Sequence, residues 1–182
     1  MTTYISLLRG INVGGKNIIK MEQLKQIFVD MGFSDVKTYI QSGNVIFRTA
    51  ESDTLKLTNK IENQLQKNFS VEIKTLVLTA DDLAETVENA PENFGTEPEK
   101  FRYDVWFLLP LTMINDVISN VRLREGVDFL QAGKNVIYTT RLTSQMGKSY
   151  FSKIVQMPFY KNITIRNWNT TTKLLELTNA KK

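Results

Sequence analysis

Histidine and cysteine are both missing from the chain. Without cysteine there are no disulfides and no thiolate chemistry. Without histidine, Ser-His-Asp and Cys-His catalysis are excluded, as are the usual zinc sites. Any acid–base work falls to Asp, Glu, Lys or Tyr. Long apolar runs are missing too. None approaches the roughly 18 residues a membrane helix needs, so no membrane association is expected. The N-terminus leads through Thr2-Thr3-Tyr4 straight into a short apolar run, with no basic region and no small-residue cleavage site. The expectation is a reduced, cytoplasmic protein. Neither sign of charge dominates: 23 Lys and Arg stand against 19 Asp and Glu, a net charge of +4. That favours anionic partners only mildly. The nearest things to paired carboxylates, Asp81-Asp82 and Glu97-Pro98-Glu99, lack metal-ligand spacing, so no metal site is expected.

What is present is ordinary globular material, 42% apolar and 23% charged. Tyr4 to Arg9 reads as a strand. Met21, Leu24, Ile27, Phe28 and Met31 fall at helical spacing, with Gly32 as a stop. Val36 to Ile40 and Val45 to Thr49 read as strands joined by Gln41-Ser42-Gly43-Asn44. Ser52 or Asp53 can cap a helix whose apolar face runs through Leu55, Leu57, Ile61, Leu65 and Phe69. Val71 to Leu78 closes the set as a strand. The order β-α-β-β-α-β is the split βαβ or ferredoxin-like pattern. Thr79-Ala80-Asp81-Asp82 is a capping box for a short helix, and Pro91 to Pro98 reads as a linker.

The second half repeats the order. Phe101 to Leu109 reads as a strand and Leu111 to Val121 as a helix. Val127 to Leu130 and Val136 to Thr140 read as a hairpin, Ser149 to Val155 as a helix, and Ile163 to Arg166 as a strand. A helix over about Thr171 to Asn179 follows. Gln41-Ser42-Gly43-Asn44-Val45-Ile46-Phe47 also resembles Gln131-Ala132-Gly133-Lys134-Asn135-Val136-Ile137-Tyr138, with one residue inserted. The expected fold is α+β: two ferredoxin-like βαββαβ units in tandem, with antiparallel sheets and an extra C-terminal helix. The units span 1–79 and 101–182, joined by a short helix and linker over 80–100.

In such a sheet the first strand and the first hairpin strand run parallel, by right-handed crossover. The Gly-rich turn after strand one and the hairpin tip then lie at one end. Arg9, Asn12, Gly14, Gly15, Lys16, Gln41, Ser42 and Asn44 become candidate ligand contacts, with no carboxylate among them. Gly14-Gly15 could present successive N–H groups to an anion. Arg9 could fork onto a phosphate or carboxylate, with Lys16 as a point charge. The competing reading is that the glycines meet turn dihedrals and the asparagines bond their own backbone.

The run Leu7-Leu8-Arg9-Gly10-Ile11-Asn12-Val13-Gly14-Gly15-Lys16-Asn17, then Met21-Glu22-Gln23-Leu24, then Thr38-Tyr39-Ile40-Gln41-Ser42-Gly43-Asn44-Val45-Ile46-Phe47 resembles the bacterial family catalogued as domain of unknown function 1697. Thr164-Ile165-Arg166-Asn167-Trp168-Asn169-Thr170, followed by Lys173-Leu174, resembles that family's closing motif. The resemblance covers essentially the whole chain. It implies a cytoplasmic α+β protein with ferredoxin-like parts, and carries over no activity, cofactor or catalytic residue. The chain departs from the family at Ile165, where a small residue is usual, and at Asn169, where a basic one is.

Arg166 joins the candidate ligand contacts, between the last strand and the last helix. Trp168 is read as packing under that helix, with stacking on a ligand ring as the alternative. Gly147-Lys148-Ser149 ends like a phosphate loop, but Leu142 stands where that motif needs glycine. The aromatics of Phe101-Arg102-Tyr103-Asp104-Val105-Trp106-Phe107 are read as packing rather than as an RNA-binding face. These residues point first to a protein that binds a phosphorylated ligand, a nucleotide or a nucleic-acid backbone. The alternatives are an enzyme acting on a phosphorylated or carboxylated small molecule and a structural or interaction module. Cofactor and oligomeric state are not specified by the sequence.

Overall fold

The computed structural model describes residues 1–14 and 18–179. Strand β1 (Thr2–Leu8) is followed by helix α1 (Met21–Asp30), strands β2 (Ser34–Tyr39) and β3 (Asn44–Thr49), helix α2 (Thr54–Phe69) and strand β4 (Thr75–Thr79). Helix α3 (Ala80–Glu88) leads on to strand β5 (Phe101–Leu108), helix α4 (Ile114–Ile118) and strands β6 (Asp128–Ala132) and β7 (Val136–Leu142). Three 3-10 turns, Thr143–Lys148, Tyr150–Gln156 and Pro158–Asn162, precede strand β8 (Ile163–Asn167) and helix α5 (Trp168–Asn179). Two compact units result. The first comprises Met1–Leu83 and the chain from Leu174; the second is Ala84–Lys173. Each holds one antiparallel sheet, of order β2-β3-β1-β4 and β6-β7-β5-β8. The architecture is α+β with two four-stranded sheets and a C-terminal helix. No described helix is long and apolar enough to cross a membrane.

In the first unit, local signals and packing agree. Asp53 Oδ1 accepts the Lys56 N–H at 3.0 Å and starts α2. Leu57, Ile61 and Leu65, spaced by four, form its buried stripe, while Leu55 points to solvent. Gly32, at φ +85°, ends α1 behind Leu24, Ile27 and Phe28. Thr79 and Asp82 make the expected reciprocal cap of α3: Asp82 donates its N–H to Thr79 Oγ1 at 3.0 Å, and Asp82 Oδ2 accepts the Thr79 N–H at 2.9 Å. The two helices cover the sheet face bearing Tyr4, Leu8, Val45 and Phe47. Phe47 is the hub, stacked 4.4 Å from Phe33 and 5.7 Å from Tyr4, and edge-on to Phe28 at 5.5 Å.

The second unit keeps the strand order with less helix. The helix expected over 111–121 shrinks to Ile114–Ile118, because Leu111 sits at φ +67° and Met113 is extended. The helix expected over 149–155 is instead a 3-10 turn over Tyr150–Gln156. Extended residues bound it on both sides: Ser149, which caps it, and Met157, which precedes Pro158. Trp106 anchors this core, 5.0 Å from Phe151 and 6.3 Å from Phe159. The 91–98 linker is packed, not loose. Phe94 meets Tyr103, Tyr138 and Trp168 edge-on at 5.0, 5.4 and 5.0 Å. A Cβ on Gly95 would lie 2.3 Å from the Trp168 indole. Trp168 therefore packs on this linker.

Backbone bonds at the ends of β1 and β5 correct the expected match between hairpins. Leu8 donates to Gly43 O and Arg9 to Lys74 O, both at 2.8 Å. Leu108 donates to Asn135 O at 3.3 Å and Leu109 to Asn162 O at 2.9 Å. Leu8 thus corresponds to Leu108, and Asn44, opposite Leu7, corresponds to Val136, opposite Phe107. The sequence resemblance instead pairs Asn44 with Asn135. It is one residue out of step, which in a strand exchanges the two faces.

Candidate functional site

The end of the first sheet where β1 stops is built by three segments. Antiparallel pairing puts the last residue of β1 beside the tip of the β2–β3 hairpin on one side and the start of β4 on the other. The turn after β1 and the hairpin tip meet here, as the topology requires. The Asn12 side chain joins them: Nδ2 donates to Gln41 O at 2.8 Å and to Ile19 O at 3.0 Å, while Oδ1 accepts the Ile19 N–H at 2.7 Å. Both amide protons of Asn12 are thereby used in closing the loop.

The hairpin tip is braced from below. Asn44 is fully buried, and its Nδ2 donates to Tyr39 O at 3.0 Å and to Ser42 Oγ at 2.9 Å. Gly43, at φ +74°, presses on the turn; a Cβ there would lie 2.7 Å from Ile11 Cδ1 and 2.8 Å from Leu8 Cβ. Ile11 is buried beneath it. The Asn12 and Asn44 amides therefore shape this end of the sheet from within. Arg9 is half-buried, Ser42 is partly exposed, and Gln41 and Gly14 lie at the surface. Gly15 and Lys16, expected from the sequence to join them, lie outside the described residues.

The backbone of the turn has a pattern of its own. Gly10, Asn12 and Gly14 all sit in the left-handed region, at φ +69°, +54° and +59°.

Sequence reasoning missed the third segment. Lys74 stands at the start of β4, next to Arg9 in the ladder, held by Glu72 at 2.8 Å and Glu62 at 3.2 Å. Glu62 also accepts the Thr75 N–H at 2.8 Å. Glu72 and then Glu62 push the Lys74 pKa above the ordinary lysine value, and Lys74 holds Glu72 below the usual carboxylate range. Antiparallel pairing of the first and last strands was the signal that could have found this pair. Two carboxylates thus stand beside a turn that itself carries none.

Arg166 belongs to the second unit. Its guanidinium is buried, and Nη1 donates to Thr164 Oγ1 and to Ile165 O, both at 2.9 Å. Burial pushes its pKa down to about 10, which leaves it charged at neutral pH. Lys148, in the false phosphate loop, bonds Gln145 Oε1 at 3.3 Å. Among the described residues no cluster of three or more acidic side chains is placed to hold a metal ion.

The family described as Protein of unknown function (DUF1697) matches residues 1–138. The structure of the conserved bacterial protein SP0830 from Streptococcus pneumoniae is similar to this chain at 31% identity and a TM-score of 0.86. The match covers 97% of this chain and 98% of that one. No curated protein matches.

Proposed function

The chain belongs to the DUF1697 family, and for this member we propose that the β1 end of the first unit binds a phosphorylated ligand, a nucleotide or a nucleic-acid backbone. The observation that carries this reading is the bridged pair of turns: Asn12 ties the left-handed Gly10–Gly14 loop to Gln41, beside Arg9. Arg9 supplies charge, the loop backbone supplies N–H groups, and Gln41 and Ser42 supply side-chain hydrogen bonds. Asn12 and Asn44 hold the concavity. We also read both units as ferredoxin-like and as products of a duplication; the common strand order and the matched bonds at Leu8 and Leu108 support this. Lys74 at this end of the sheet is held in its protonated form by Glu72 and Glu62 and is a poor general base.

A thermal-shift panel tests the proposal. Phosphate, pyrophosphate, nucleotides, sugar phosphates and short RNA or DNA are each added to the protein and to Arg9→Ala. At one hundred times Kd a ligand stabilises by roughly 2.7 kcal/mol, a readable shift. Stabilisation by one phosphorylated class that is lost in Arg9→Ala is the expected result. A flat panel, or a shift that Arg9→Ala keeps in full, overturns it.

A further inference from the structure

Ile40 enters the β2–β3 turn at φ +47°, in the left-handed region, with 47% of its surface exposed. A β-branched side chain is strongly disfavoured there, whereas glycine or asparagine sits with little strain. Its exposure means that burial offsets little of this strain. The backbone is held on both sides without help from the side chain: Asn44 Nδ2 bonds Tyr39 O, and Asn12 Nδ2 bonds Gln41 O. Folding alone therefore favours asparagine or glycine at this position. Residues that break a local rule without gain to the fold concentrate at functional sites. We propose that Ile40 is a ligand-contact residue, and that the ligand of the β1 end is a nucleotide whose base lies against it. The inference rests on the phosphate reading above and narrows it, from any phosphorylated backbone to a ligand that presents a base.

Neighbouring positions supply the rest of the surface. Asn12, Ile19 and Gln41 form one knot, closed by bonds of 2.7, 2.8 and 3.0 Å. Val13, Ile18 and Ile40 are each the next residue to one of these three, about 3.8 Å away along the backbone. All three of these aliphatic side chains are exposed. They are thus gathered within reach of one bound molecule, where the turn after β1 meets the hairpin tip. A base offers the flat face that apolar side chains cover when an unstacked base is held. Gln41, at the surface beside Ile40, carries an amide that donates and accepts at once, as glutamine does at the edge of adenine. Arg9 takes the phosphate. A sugar phosphate has no flat apolar face, and in a duplex that face is stacked away, so neither uses the aliphatic positions.

The test sets the contact role of Ile40 against its effect on the fold. The four ribonucleoside 5′-monophosphates, and ribose 5-phosphate with a hydroxyl in place of the base, are titrated by calorimetry into the full chain and into Ile40→Asn. Asparagine suits the left-handed turn, so this variant should unfold at higher urea than the parent protein. At least one nucleotide should bind the parent about tenfold or more tighter than ribose 5-phosphate does. Ile40→Asn should lower that affinity to the level of the sugar phosphate and leave the sugar phosphate unchanged. A more stable protein with a weaker site separates ligand contact from a structural role. Arg9→Ala should weaken nucleotide and sugar phosphate alike. Equal binding of nucleotides and ribose 5-phosphate overturns the proposal and leaves the phosphate reading standing. Undiminished nucleotide binding by Ile40→Asn, or its unfolding at lower urea, also overturns the proposal alone. Binding of neither nucleotide nor sugar phosphate overturns both.

Discussion

At corresponding places in the two sheets, the first unit stacks Tyr4 on Phe47 while the second sets Asp104 beside Thr139. The strand order is the same and the filling is opposite in character. Phe47 sits among three other rings. Asp104 is 1% exposed and draws Arg102 Nε and Arg141 Nη2 to one oxygen, each at 2.8 Å, while its other oxygen has no hydrogen-bond partner among the described residues. One position along, the roles reverse. Ser6, bonded to Thr75 at 2.6 Å, stands where the second unit places Trp106. Each sheet thus accepts one polar layer and one aromatic layer, in exchanged order. The backbone plan constrains which positions face inward. It leaves the chemistry at each position to what packs above it.

The most direct way to break the comparison is to remove the hub and its counterpart. Phe47→Ala should cost about 3–5 kcal/mol, the usual price of an emptied aromatic site. Thr139→Ala loses one bond, to Asp104 O at 3.1 Å, and should cost about 1 kcal/mol. Equal losses in urea unfolding would show that the two layers carry the same weight. Next comes the ion cluster. Asp104→Ala leaves Arg141 mostly buried without its carboxylate, and should cost about 3 kcal/mol. A neutral outcome would mean that Asp104 is only tolerated there.

A finer test compares the hairpin glycines that the sequence aligns. Gly43→Ala should cost about 1–3 kcal/mol, since it meets both a left-handed φ and Ile11. Gly133 has no left-handed φ; its added Cβ meets Tyr138 and Val136 at 2.8 and 2.9 Å. Gly133→Ala should therefore cost less, by denaturation midpoint. The smallest effect is confined to alkaline pH. Tyr138 donates to Thr86 O at 2.6 Å, and burial, with Glu85 nearby, pushes its pKa up to about 12. The folded state holds that proton more tightly than the unfolded chain does. Its contribution is complete below pH 10 and is lost as pH rises towards 12. Tyr138→Phe should flatten that part of the stability curve, read as the urea midpoint against pH; an unchanged slope would remove Tyr138 as its source.

Where a signal was local, it was legible. Alternation marked the strands, the stripe Leu57-Ile61-Leu65 marked α2, and Thr79 with Asp82 marked the start of α3. The meeting of the two turns followed from topology alone. The role of Asn12 did not, because its three hydrogen bonds go to Ile19, seven residues on, and to Gln41 in the hairpin. The short helices of the second unit were misjudged for a related reason. Apolar spacing over 149–155 suits a helix, but the extended residues at both of its ends stop the ladder after one or two turns.

By itself the sequence determined the order of the strands and the helices of the first unit. Those choices rest on periods of two and 3.6 residues and on caps within four residues, all contained in a short stretch of chain. Only the tertiary structure decided that Asn44 corresponds to Val136, that Arg166 is buried, that Glu62 and Lys74 stand at the turn end, and that Trp106 is buried against Phe151 and Phe159. Register and burial depend on groups brought together from distant parts of the chain, and a shift of one residue turns each strand over. No local pattern contains that information.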